Sequence, residues 1–137
     1  MKIAYIGLIV LDQRTKKETD FHVTLEYFKN VPQSERETAA RSFLDDIGNG
    51  EIWCGINKIG ISLDNKLSAV EVQLPNNLMK YFKGIIPHCT ISAREPYKPK
   101  DSYKCLNGEI ESTVVDSTGI MFCRAAAFDY DNKPIKL

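Results

Sequence analysis

Histidine occurs only twice in the 137 residues, and both copies sit in the same local frame: Phe21-His22-Val23-Thr24-Leu25 and Pro87-His88-Cys89-Thr90-Ile91. Each reads His, apolar, Thr, aliphatic. With 15 Ser or Thr and 31 Ile, Leu or Val in the chain, chance puts both histidines in that frame in roughly one chain per thousand or two. The residue types suit one chemistry. Imidazole titrates nearest neutrality, so of two rings in one groove one can act as base while the other carries a proton. Threonine hydroxyls can donate to the non-bridging oxygens of a phosphate. Together they supply what an in-line displacement at a phosphodiester needs without a metal. A lone strand histidine is more often a satisfied core residue; the duplicated frame reverses that reading.

Spacing tells how such residues are placed. In a strand, residues i and i+2 share a face, so His22 faces with Thr24 and His88 with Thr90, while Val23 and Cys89 face a packed side. Strand character is therefore expected for Phe21 to Phe28 and Ile85 to Ala93. Lys2 to Leu11 reads as a central strand, apolar on both faces, and Asp12 to Asp20 as a solvated loop. After Pro32, Ser34-Glu35-Arg36-Glu37 has the form of a capping box, followed by Ala40, Phe43, Leu44 and Ile47 at helical spacing and a stop at Gly48-Asn49-Gly50. Ile52 to Leu63 and Leu67 to Leu74 read as a hairpin around Asp64-Asn65-Lys66. Asn76 to Lys83 reads as a short helix capped by Asn76 or Asn77, and Arg94 to Tyr103 as a loop. Strands near Gly108 to Val115 and Gly119 to Tyr130 close the chain. The order is α+β, in a single domain spanning residues 1–137.

Composition removes several function classes. Eighteen basic residues balance eighteen acidic ones, which argues against a grip on long nucleic acid by counterion release but permits a small anion in one pocket. Apolar runs such as Ile3 to Leu11 are half the length of a membrane span, and neither a membrane helix nor a secretory signal is expected. Cys54, Cys89, Cys105 and Cys123 form no CxxC pair, and two histidines cannot complete a zinc set, so neither metal nor cofactor is expected. Four free, mostly buried thiols and a reducing cytoplasm are the expectation.

The two His-x-Thr motifs, 66 residues apart and one per half of a short chain, resemble those of the 2H phosphoesterase superfamily. The resemblance implies a bilobal fold: two pseudo-symmetric antiparallel β-sheet lobes with flanking helices and a central groove. It further implies metal-independent cleavage at cyclic phosphates or at 2′–5′ or 3′–5′ linkages, with His22 and His88 as the acid–base pair and Thr24 and Thr90 holding the phosphate. In size and plan the chain is similar to the compact phage enzymes of the anti-CBASS group, which degrade cyclic oligonucleotide immune signals, in the host cytoplasm if viral. The expected ligand is then a cyclic nucleotide or a short nucleotide with a cyclic phosphate. Processing of RNA ends bearing 2′,3′-cyclic phosphates is the alternative, and a non-catalytic nucleotide sponge or a structural adaptor are rivals from other classes.

Secondary candidates surround this core. Ser92 and Arg94 continue the parity of His88 and Thr90, and Arg94 would suit a phosphate or base. Tyr5, beside the open space of Gly7, could stack a base or hydrogen-bond the ligand. Trp53 is a stacking candidate near a loop. Tyr97 and Tyr103, with Lys98, Lys100 and Lys104, would suit a lid.

Overall fold

The computed structural model describes residues 2–137. Eight strands and a few helices follow in the order β1 (Tyr5–Leu11), β2 (Glu18–Tyr27), α1 (Gln33–Ile47), β3 (Ile52–Ser62), β4 (Leu67–Gln73), α2 (Asn76–Met79), β5 (His88–Ala93), a single 3-10 turn (Pro99–Asp101), α3 (Lys104–Asn107), β6 (Ser112–Asp116), β7 (Ile120–Phe128) and β8 (Pro134–Ile135). The strands pair antiparallel as β6-β3-β4-β5-β2-β1-β7-β8, and β3 also pairs with β7. That last pairing, Ile52↔Cys123 to Gly55↔Ile120, closes β3-β4-β5-β2-β1-β7 into a six-stranded barrel. β6 and β8 hang on it as extra strands.

The two-lobed α+β arrangement expected above is not the one observed. Helix makes up 19% of the chain, and the protein is mostly β. β2 bonds directly to β5, and β3 to β7, so neither half of the chain stands apart as a lobe. Hydrophobic alternation marks which face of a strand is buried but not which strands are neighbours, and here the non-local pairings join what would have been two sheets into one ring. Ring closure also leaves the inward residues as a filled core: Ile6 and Leu8 of β1, Val23 and Leu25 of β2, Cys54, Val70 and Val72, Cys89, Cys123 and Ala125 share one buried cluster. Ala40 and Phe43 of α1 join it, which explains the helical spacing of those residues. All four cysteines are buried and free.

Local expectations hold unevenly. The β3–β4 hairpin forms, with Asn65 at φ 61° in its turn, where a short polar side chain tolerates the left-handed region. The capping box does not form: α1 begins behind Pro32 without a side-chain cap, and Gln33 instead bonds the backbone of Ile3 through both its amide atoms. Pro75, not Asn76 or Asn77, precedes α2, which is a single turn. α3 falls between the expected loop, which ends at Tyr103, and the strand expected from Gly108. Its Cys105 and Leu106 cover Leu67 and Ala69 on the outer face of the barrel. Among the described residues no helix is long and apolar enough to cross a membrane.

Candidate functional site

β2 and β5 meet at Val23↔Cys89, and both side chains are fully buried in the barrel. Their neighbours along each strand must point to the outer wall. Continuing the antiparallel register by one residue sets His22 beside Thr90 and Thr24 beside His88. The partners of the two strands match as well: Gly7 and Leu8 lie opposite Thr24 and Val23, and Ala69 and Val70 lie opposite Thr90 and Cys89. Each motif thus occupies the same place in its local ladder, with a residue of minimal size beside each threonine.

The four side chains line one cavity of about 770 Å³ on the outside of the barrel, a volume in the range of small-ligand sites. Tyr5, Tyr27 and Tyr103 contribute aromatic wall, and Lys29, Lys83 and Lys100 positive charge. No Asp or Glu lines it, although the chain as a whole is neutral. A second concavity of about 870 Å³, beside Glu18, Arg124 and Ile135, holds no histidine, and its Arg124 is already paired with Glu18. Both histidines line the first.

The His88 ring is held by the backbone two residues upstream: its Nδ1 donates to the Ile86 carbonyl at 2.6 Å. For His22 the nearby Asp20 backbone favours the charged ring. A carbonyl only accepts, so Nδ1 of His88 carries the hydrogen and Nε2 is left with a lone pair when the ring is neutral. Burial lowers the pKa of both histidines below the ordinary imidazole value, His22 further disfavoured by the nearby His88 charge; the backbone bonds act in the opposite sense. Because the folded pKa values lie below the unfolded one, stability is complete above about pH 6.5 and is lost as pH falls through the folded values. Urea midpoints should therefore drop between pH 7.5 and 5.5, and His22→Gln with His88→Gln should flatten that drop. An unchanged slope in the double variant would contradict the depressed values.

The threonines are not equivalent. Thr90 Oγ1 lies 2.6 Å from Ser102 Oγ and 3.4 Å from the Pro99 carbonyl, and Ser102 is fully buried. Thr24 makes no side-chain hydrogen bond to another described residue. If a ligand oxygen takes the Thr90 proton, Ser102 must be the donor to Thr90. Ser102 was legible in the sequence only as one serine of a loop. No pattern within the chain connects it to Thr90, since the contact depends on how the 3-10 turn folds back over β5.

Tyr5 belongs to the site but is less free than expected. It is 2% exposed, its hydroxyl donates to Asn132 Oδ1 at 2.8 Å, and its ring stacks on Phe128 (4.7 Å) and lies 5.4 Å from the His22 ring. Burial and Asp129 push its hydroxyl pKa up, so it stays protonated and braces His22. Three expected residues lie elsewhere. Trp53 is on β3, packs edge-on against Phe122 and donates from Nε1 to Glu51. Ser92 bonds Ser68 across β4, where a register shift between Ser68 and Ala69 turns the end of β5 away from the cavity. Arg94 clamps the β3–β4 turn through the Asn65 carbonyl at 2.9 Å. Of the expected lid, Lys100 and Tyr103 reach the cavity, while Tyr97 bonds Asp64 and Lys104 pairs with Asp101. Tyr27, Lys29, Lys83 and Asn132 were not singled out by sequence. Parity groups Tyr27 with the buried Val23 and Leu25; only the register shift between Ile6 and Gly7, which adds a residue to β2, sets it opposite Tyr5 on the cavity side.

No cluster of three or more metal-holding side chains occurs among the described residues. Neither the models of known protein families nor the curated proteins contain a match to this chain.

Proposed function

We propose that the protein is a metal-independent phosphodiesterase of nucleotides, working with two histidines and two threonines as the 2H enzymes do. The observation that carries this reading is the juxtaposition of both His-Thr pairs in one cavity that is ringed by lysines and free of carboxylates. A phosphate lying across the β2–β5 pair would accept hydrogen bonds from Thr24 and Thr90. One imidazole, through its free Nε2, takes the proton of the attacking hydroxyl or water. The other, protonated, gives its proton to the leaving oxygen, so that acid and base exchange states over one turnover. The cavity holds more than a single sugar phosphate, which favours a cyclic di- or oligonucleotide, such as an immune signal, over an RNA end with a 2′,3′-cyclic phosphate. A sponge would have no need of a matched acid and base.

The test is incubation with cyclic dinucleotides, cyclic trinucleotides and nucleoside 2′,3′-cyclic phosphates, with products resolved by chromatography, in excess EDTA. Turnover of a cyclic oligonucleotide, unaffected by the chelator, is expected. Retention of intact ligand would mean a sponge, and activity that vanishes with EDTA and returns with Mg²⁺ or Zn²⁺ would overturn the two-histidine mechanism. Ser102→Ala removes one hydrogen bond from Thr90 and is expected to lower kcat/KM about tenfold with little change in Tm, the loss of ~1.4 kcal/mol in the transition state. Unaltered kinetics would show that Ser102 does not orient Thr90.

A further inference from the structure

Cations are distributed unevenly around the cavity. Lys100 follows Pro99, whose carbonyl faces Thr90, and so stands on the Thr90 side. Lys29 and Lys83 gather at the opposite end. Lys29 lies just past the end of β2, two residues after Tyr27. The Lys83 backbone N–H donates to the Leu25 carbonyl at 2.9 Å, which fastens the loop before β5 to β2 beside Thr24. None of the three lysines belongs to an ion pair among the described residues, and the one side-chain bond of this group is a long one, from Lys83 Nζ to the Lys80 carbonyl at 3.4 Å.

One phosphodiester carries one negative charge. Between the motifs that charge is met by one imidazolium and two hydroxyls. Two additional ammonium groups at one end of a cavity without carboxylates repel each other, and nothing of the protein lining the cavity offsets them. A ligand that brings a second negative group to that end does. Tyr27, two residues before Lys29 and opposite Tyr5, is 49% exposed and stacked on Tyr5 with ring centroids 5.7 Å apart, an aromatic shelf for a base or sugar.

We propose that Lys29 and Lys83 form a second anion subsite, which takes a phosphate one nucleotide away from the one held between His22 and His88. This rests on the nucleotide reading of the cavity, and it assigns the substrate a minimum of two phosphates. Cyclic mononucleotides and nucleoside 2′,3′-cyclic phosphates would occupy only half of the site.

Binding tests this apart from turnover. Adenosine 3′,5′-bisphosphate and adenosine 3′-monophosphate hold no phosphodiester to cleave, and their affinities for the full chain can be measured by calorimetry. The bisphosphate is expected to bind at least tenfold tighter, with the advantage shrinking as salt rises. Lys29→Gln and Lys83→Gln together should abolish the advantage and leave monophosphate affinity as it was, while Lys100→Gln should weaken both ligands alike. Equal affinity for the two probes, no binding of either, or parallel losses for both in the Lys29/Lys83 variant would each overturn the subsite. Preference for the bisphosphate in a protein that cleaves no member of the cyclic panel would instead uphold the subsite and remove the phosphodiesterase reading.

Discussion

His22→Ala and His88→Ala are each expected to lower kcat by at least ~10²-fold, the lower end of general acid–base contributions, while the protein stays folded and still binds nucleotide. Both rings are half-buried on the outer wall, not in the barrel, so truncation opens space toward the cavity and leaves the core intact. The double variant should be little worse than either single one, because acid and base act in one step. kcat/KM of the native protein should trace a bell against pH, its limbs belonging to the pair. Active protein holds one proton between the two rings: the acid limb is protonation of the base, the alkaline limb loss of the proton from the acid. Since both pKa values are depressed by burial, the optimum should lie below the ordinary imidazole value of about 6.5, and each single variant should lose one limb. Core histidines would give a different pattern, with Tm falling and activity declining only as the folded fraction declines. A fully folded, fully active His22→Ala would refute the proposed mechanism.

Gly7→Ala should be among the most damaging substitutions of a single methyl group. A Cβ at Gly7 would stand 2.3 Å from the Val23 carbonyl oxygen and 3.3 Å from the Thr24 Cα, and both are backbone. Nothing there can rotate aside. β1 and β2 must separate at Gly7↔Thr24, next to the register shift between Ile6 and Gly7. The expected loss is about 3 kcal/mol, the upper range for overpacking, or roughly 10 °C in Tm for a chain of this length. Thr24 moves with its strand, so kcat/KM of the folded fraction should fall too. Gly50→Ala is the control, because no atom outside its chain neighbours lies within 4 Å of its added Cβ. Equal melting of Gly7→Ala and the native protein would show that β2 is not held by this approach.

The sequence by itself singled out the four candidate site residues and their local geometry. Two histidines in one repeated frame, each two residues from a threonine, fix four side chains to one face of two strands, because the period of a strand is two and Val23 and Cys89 demand burial. The same local logic set the β3–β4 hairpin and the buried face of α1, where Ala40 and Phe43 lie within a turn of each other. It did not extend to contacts between distant segments. The strand containing Trp53 was legible, but its outer face there meets Phe122 of β7 and not the cavity, and that follows from β3 pairing with β7. Ser92 and Arg94 keep the parity of His88 and Thr90 in the sequence, yet an extra residue on β5 opposite Ser68 and Ala69 breaks that parity, and Ser68 and the turn at Asn65 claim them. Ser102, Lys83 and Asn132 enter the site through loops tied down by Thr90, Leu25 and Tyr5, partners 12, 58 and 127 residues away along the chain. Above all, the tertiary structure decided that the sheet closes. Alternation is satisfied equally by two separate sheets and by a ring. Only the β2–β5 and β3–β7 hydrogen bonds, made between residues that carry no mark of their partners, choose the barrel and set the two motifs side by side on its wall.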